Sequence, residues 1–414
     1  MCGTASAAPL EVDVAIVGGG MVGASLAAAL VGTGRRLLLI ETVPFGTAAQ
    51  PSFDERTTAL GNLSRRIFEG LDVWTDMAPE AAPIRAIHVS EAGHFGFSRL
   101  SAAEQGIEAF GYVVANRCIG AALWRKLSAS ADLTIKAPAQ VADLALTAES
   151  ARFNVLTGSG SALPVVARLV VAADGANSPI RATAGIATDV VDYKQVAVVA
   201  NVAADRPHEG NAFERFTDAG PLAVLPRHDG GLAVIWACRP DRAQQLLALE
   251  QAAYLAELQA QFGWRAGRFL RAGPRSSYPL KLTRAATSVA TRTVLIGNAA
   301  QALHPVAGQG FNLGLRDAAM LAEVIAATAG DVGAPAALQQ FAEWRARDRR
   351  GVVRFTDGLI RLFGDTRPGA ALLRNLGLLV FDLTPPAKGA LARVSAGFGG
   401  PTPRLARGLS LRHV

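Results

Sequence analysis

Gly18, Gly20 and Gly23, in the stretch VDVAIVGGGMVGASLAAALVGTGRRLLLIE, have the spacing GxGxxG. That spacing suits the binding of a pyrophosphate. The first glycine permits a tight turn, the second lets main chain approach the phosphates, and the third lets a helix pack closely on a strand. Glu41 closes the apolar run that follows. A carboxylate there accepts hydrogen bonds from both ribose hydroxyls of an adenosine and repels a 2′-phosphate. Two later stretches share the form of a strand end followed by a glycine turn. One is LVVAADGANSPIR, with Asp174-Gly175, Ser178 and Arg181; the other is LIGNAAQALHPVAGQGFNLGLRD, Leu295 to Asp317. The second has no carboxylate or guanidinium between Arg292 and Arg316, and it carries a His-Pro pair and four glycines. An uncharged, glycine-broken segment of this kind suits a loop that presses its backbone against a flat ligand.

These residues need elements to hold them. Val12 to Val17 reads as a short apolar strand, Met21 to about Gly32 as a helix of small residues, and Arg36 to Glu41 as a second strand. Together they make a βαβ unit whose helix N-terminus offers free N–H groups and partial positive charge to phosphates. The motif does not distinguish FAD from NAD. NRCIGAALWRKL predicts a helix capped by Asn116, with Ile119, Leu123 and Leu127 on one face. From Ile186 to about Arg275 the pattern changes to short alternating apolar segments such as QVAVVANV, GPLAVLP and GGLAVIWACR. They predict an antiparallel sheet carrying a substrate pocket, with Leu225, Pro226 and Trp236 as candidate lining residues. A long helix is expected from Pro335 to Arg350.

The chain has 414 residues, 50% of them hydrophobic and 18% charged, which is enough for two domains and an appendage. Cys2, Cys118 and Cys238 lie far apart without a CxxC, so neither a disulfide framework nor a zinc site is indicated, and Cys118 and Cys238 are expected as buried reduced thiols in a cytosolic protein. No Lys or Arg precedes Arg35, which argues against a secretory signal. The net charge of +7 is concentrated at one end. From Phe341 to Val414 there are twelve Arg and one Lys against five acids, and the remainder of the chain is near neutral. No nucleic-acid module accompanies that basic tail, so a membrane surface or an acidic protein is the expected partner.

In order, GxGxxG, ADG and GNAAxxxxPxxGxGxN resemble the flavin-dependent aromatic hydroxylases, the single-component monooxygenases that include 4-hydroxybenzoate hydroxylase. GNAAQALHPVAGQGFNLGLRD and FDERTTAL resemble most the ubiquinone-biosynthesis branch, and within it the 2-polyprenyl-6-methoxyphenol hydroxylase type. The resemblance implies an α/β fold: a Rossmann-like FAD-binding domain joined to an α+β substrate domain built on an antiparallel sheet. It implies that Gly18, Gly20, Gly23 and Glu41 hold the ADP half of FAD, that Arg117 lies near its phosphates, and that Arg56, Asp174 and Asn298 lie along the cofactor. Pro305, Gly308, Gly310 and Asn312 would then border the isoalloxazine. Backbone N–H groups would reach its pyrimidine edge, and a helix beginning near Asn312 would aim its positive end there. Asn298 stands where the family usually has Asp; its amide oxygen still accepts a hydrogen bond.

The implied chemistry is hydroxylation of a polyprenyl phenol with O2 and NADPH or NADH, through a flavin C4a-hydroperoxide, with His304 as a candidate proton shuttle. The expected division assigns residues 1–75, 100–185 and 280–350 to the FAD-binding domain and 76–99 and 186–279 to the substrate domain. Residues 351–414 form a segment that associates with other ubiquinone-biosynthesis proteins or with the inner face of a membrane. A prenyl reductase and a non-catalytic flavin-binding subunit are the competing readings; a halogenase is disfavoured by the lack of WxWxIP.

Overall fold

The computed structural model describes residues 8–47, 50, 52–158, 160–303, 308–363, 370–384, 386, 388–389, 396–397 and 401–412. Cys2, His304 and Pro305 lie outside them. Among the described residues the strands form sheets of eight, nine and three strands.

The centre of the eight-stranded sheet is built on continuously apolar stretches, Val14 to Val17, Leu37 to Ile40 and Leu169 to Ala172, as strands buried on both faces require. Leu10–Val17 lies between Ala162–Ala172 and Leu37–Ile40, pairing parallel with both, and Thr293–Leu295 adds parallel to Ala162–Ala172. The helix Met21–Leu30 packs over this sheet against the helix Gln309–Ala327. Small residues on both helices make the approach close: a Cβ on Gly314 would lie 2.9 Å from a Val22 methyl and 3.0 Å from the Gly297 Cα.

The nine-stranded sheet is centred on the long strand Thr188–Ala204, which pairs antiparallel with Leu232–Cys238 and Ser276–Ala285. It is not purely antiparallel as expected, because Asn211–Thr217 pairs parallel with Ala86–Glu91. Ser276–Ala285 belongs to this sheet throughout and so crosses the expected boundary at residue 280. Its outer face is covered by Pro240–Ala248 and Gln251–Phe262. The three-stranded sheet, Thr57–Gly61, Gly111–Ala115 and Ala82–Ile84, bridges the two larger ones.

The basic end of the chain is not a detached segment. The helix that begins at Pro335 runs on to Phe363, and the last described residues return to the first body. Leu63 N–H donates to the Ala396 carbonyl at 3.0 Å, Arg404 N–H donates to Glu323 at 2.8 Å, and Leu405, Ala406 and Leu411 are buried in the core around the first sheet. Between these stretches lies the helix Ala370–Asp382. Cys118 and Cys238 are buried and unbridged, as expected.

Candidate active site

Parallel register brings three distant motifs to one edge. Val17 is level with Ala172 and with Ile40, and Ala172 is level with Leu295. The turns that follow these strands, Gly18–Gly20, Glu41, Asp174-Gly175 and Gly297-Asn298, therefore emerge together at the carboxyl ends, where open α/β sheets bind ligands. The turns are locked to each other. Gly18 N–H donates to the Ile40 carbonyl at 2.8 Å, and Ala173 N–H donates to that of Val17 at 2.8 Å. Arg181, buried, donates to the carbonyls of Ala176 at 2.7 Å and Ala299 at 2.9 Å, tying the Asp174 turn to the Asn298 turn.

A cavity of about 1450 Å³ runs from these turns to the nine-stranded sheet. This exceeds the roughly 300–1,000 Å³ of an ordinary small-molecule pocket, leaving room for a dinucleotide and a second ligand. Gly18, Gly20, Glu41, Arg56, Asp174, Asn298, Gly308 and Gly310 all line it. The Glu41 carboxylate is fixed by the N–H groups of Gly19 at 2.6 Å and Val43 at 2.9 Å, which aims its remaining lone pairs. Asp174 accepts from Ile180 N–H at 3.3 Å through one oxygen. Its other oxygen is buried with no hydrogen-bond partner among the described residues, and burial holds its carboxyl above the usual range. Arg56 is held by Asp54, Nε to Oδ2 at 2.6 Å.

Several expected roles change. The helix expected to begin near Asn312 begins at Gln309, directly after Gly308, which takes a left-handed conformation (φ 60°). Asn312 does not line the cavity. Its Oδ1 accepts from Gly61 N–H and the Ser64 hydroxyl, and its Nδ2 donates to the carbonyls of Ala59 and Gly308, so it pins the helix start to the neighbouring strand and helix. Asn116 is the first residue of its helix rather than the cap. The carbonyls of Arg56 and Asp54 accept the N–H groups of Asn116 and Arg117 instead, which leaves the Asn116 side chain to accept from the Thr58 hydroxyl. Arg117 does not line the cavity; its guanidinium is paired with Glu55 and Glu80. His304 and Pro305 lie outside the described residues.

Strand alternation sorts the substrate-side candidates. Leu225 lines the cavity with Ala223, Ala233, Ile235 and Val199. Trp236 and Pro226 have the opposite parity. Trp236 is fully buried on the outer face with Tyr254, Leu258 and Phe262, and Pro226 is buried away from the cavity. Glu214 and Tyr278, which sequence reasoning missed, also line the cavity. Their alternating strands look like any other half-buried sheet, so no local pattern marks them. A second omission is Asp317. Fully buried, it pairs with Arg345 at 2.7 Å and Arg349 at 3.2 Å, and it accepts from Gly297 N–H at 3.2 Å and Gln301 at 2.9 Å. An adjacent Arg-Asp pair inside the apolar run of a helix was the available signal.

The residues present suit FAD: an open glycine cradle at a helix N-terminus, a strand-terminal carboxylate for a ribose, a buried unpartnered acceptor midway, and a second helix start beyond it. The comparisons agree. A family model described as FAD binding domain matches residues 11–356. Ubiquinone hydroxylase UbiL of Rhodospirillum rubrum is 37% identical, covering 96% of this chain and 93% of its own. The 3-demethoxyubiquinol 3-hydroxylase of Escherichia coli is 32% identical, covering 89% of this chain and 94% of its own. Among solved structures, p-nitrophenol 4-monooxygenase PnpA from Pseudomonas putida shares the fold with a TM-score of 0.77 at 18% identity, over 94% of this chain and 99% of that one. With a matching cavity, the three motifs in register and full-length relatives of this kind, the chain belongs to the FAD-dependent aromatic hydroxylases, in their ubiquinone-biosynthesis branch.

Proposed function

We propose that this protein hydroxylates the aromatic ring of a polyprenyl phenol on the way to ubiquinone, consuming O2 and NADPH or NADH. The observation that carries the reading is the single cavity shared by the three cofactor turns and an apolar sheet face. Gly18, Gly20 and Glu41 would hold the ADP half of FAD, Asp174 and Asn298 its middle, and the backbone at Gly308 and Gly310 its ring end. Bound FAD, reduced by the nicotinamide, supplies the activated oxygen. The protein contributes orientation and dryness: Val199, Ala223, Leu225, Ala233 and Ile235 pack a ring and the start of its prenyl chain and keep water out. The expected division into an FAD-binding and a substrate domain follows the same line, with the cavity between them. Purified protein given NADPH, O2 and a short-chain prenyl phenol should yield product heavier by one oxygen atom. A gain of two hydrogens without O2 would favour a prenyl reductase instead, and no turnover at all would favour a flavin-binding subunit.

The chain's attachment to the inner face of a membrane belongs to the same proposal. No helix among the described residues is long and apolar enough to cross a bilayer. Helix Ala370–Asp382 is fastened to the sheet edge by polar side chains. Asn375 accepts from Gly96 N–H at 2.7 Å and donates to Glu91 at 2.7 Å, Arg374 pairs with Glu91, and Asp382 accepts from Arg99 N–H at 2.8 Å. Leu376, Val380 and Leu383, at helical spacing, are left 46%, 64% and 81% exposed. Apolar side chains turned outward on a basic segment suit an anionic lipid surface. Replacing all three by serine should leave flavin content and turnover of a water-soluble phenol unchanged. Cosedimentation with anionic vesicles should weaken by at least about 100-fold, since each buried Leu or Val contributes about 1–2 kcal/mol. Unchanged vesicle binding would remove this attachment from the proposal.

A further inference from the structure

The sheet floor of the cavity carries one carboxylate on its central strands. Glu214, on Asn211–Thr217, lies opposite Ala223, which lies opposite Ile235, which lies opposite Val199; on the other side Glu214 is level with Val89. A carboxylate in a row of Ala, Ile and Val is costly unless something matches its charge. Among the described residues nothing does. Burial pushes its carboxyl up to about 7, with no neighbouring charge or hydrogen bond contributing. Its strand neighbours Phe213 and Arg215 turn to the outer face, where Phe213 meets Phe262 edge-on and Arg215 donates to the Gln261 carbonyl at 3.0 Å. His88 lies with them. Around the rest of the cavity the described ionisable groups are Glu41 and Asp174 at the adenosine end, Asp54, Glu55 and Arg56 beside the middle, Arg275 just before the far strand, and Tyr278 and Lys281 on it.

An unmatched acid facing a ligand cavity has a poor structural rationale and a good chemical one. A neutral phenol is a weak nucleophile, while its phenolate is strongly electron-rich at the ring carbons ortho and para to oxygen. We infer that Glu214 accepts the proton of the substrate's phenolic hydroxyl, an assignment that rests on the function proposed above. The phenol O–H bond breaks and an O–H bond forms on Glu214, while the electron pair stays on the phenolic oxygen and spreads into the ring. After oxygen transfer the attacked carbon sheds its hydrogen as a proton when the ring regains aromaticity, and that proton goes to the second oxygen atom of O2, which leaves as water. The phenolic oxygen then recovers a proton from Glu214. A base titrating near neutrality suits this exchange, being ionised at working pH yet able to return the proton.

The test uses the flavin-loaded enzyme with NADPH, O2 and a short-chain prenyl phenol, comparing wild type, Glu214→Gln, Glu214→Asp and Tyr278→Phe. Wild-type hydroxylation should rise with pH through about 7 and then level off. Glu214→Gln should keep its flavin and bind the phenol, lose that limb, and drop on the order of 100-fold in kcat. Glu214→Asp should retain the limb at a reduced rate. Without O2, the near-ultraviolet band of bound phenolate should appear near neutral pH with wild type and be absent with Glu214→Gln. An unchanged pH limb in Glu214→Gln, or its loss in Tyr278→Phe alone, overturns the assignment. Wild type that forms no hydroxylated phenol overturns the function itself, and the assignment falls with it.

Discussion

A Gly20→Val protein is expected to purify folded and colourless. A Cβ at Gly20 would meet only the Ser52 side chain, with its hydroxyl oxygen at 3.0 Å, so the chain accommodates it by turning one serine. The valine methyls then occupy the space through which phosphates approach the N-terminus of Met21–Leu30. Losing two charge-assisted bonds of about 1.5–3 kcal/mol each weakens FAD by roughly 100-fold or more, enough to lose it on purification. The neighbouring glycines separate binding from folding. At Gly23 a Cβ would lie 1.9 Å from the Gly18 carbonyl oxygen, and at Gly18 one would lie 2.4 Å from that of Ala173, so alanine at either breaks the turn itself. Flavin absorbance relative to protein, read beside a thermal melt, distinguishes the cases. A folded Gly20→Val enzyme that is fully yellow would refute the phosphate site.

That contrast shows what the sequence discloses and what it hides. Glycine spacing is read locally, because a turn forbids Cβ atoms whatever surrounds it, and continuous apolar runs announce buried parallel strands. The βαβ unit and the three converging turns were legible for that reason. Side-chain roles depend on what lies opposite in space. Asn116 and Asn312 have the chemistry of a cap and a ligand, but main-chain carbonyls and N–H groups from Asp54 to Gly61 reach them and fix other partners. Leu225 and Trp236 differ only in which way their strands' alternation turns them, and parity against a distant cofactor edge is not written in either segment. The tail shows a different limit: its charge and apolar clusters are legible locally, but that Leu405 and Leu411 also join a core that includes residues more than three hundred positions earlier is not.

Removing the charge at Asp317 should be the most destabilising single change near the site. Asp317→Asn keeps the shape while removing the carboxylate charge that faces the guanidinium groups of Arg345, fully buried, and Arg349. Removing one partner of a buried pair typically costs about 3–5 kcal/mol, against a total domain stability of about 5–15 kcal/mol. Burial raises the carboxyl, but Arg349, Arg345 and the Gln301 hydrogen bond outweigh it and hold the group below the ordinary aspartate range. A depressed acid contributes stability that is present above its unfolded pKa and lost as pH falls through the folded one. The wild-type advantage should therefore be full at neutral pH, begin to shrink only once pH drops below the ordinary aspartate range, where the unfolded chain protonates first, and be lost as pH falls through the lower value of the native group. Urea midpoints of the two proteins at pH 7 and in acid test this directly, and a gap that is small at pH 7 would show the pair to be dispensable. Asp317→Asn/Arg345→Met should recover part of the loss, since it removes one of the two charges that faced the carboxylate. Flavin retention should fall in the single variant, because the carboxylate oxygen that accepts from Gly297 N–H also holds Gln301, and so positions the turn that presents Asn298 to the cavity.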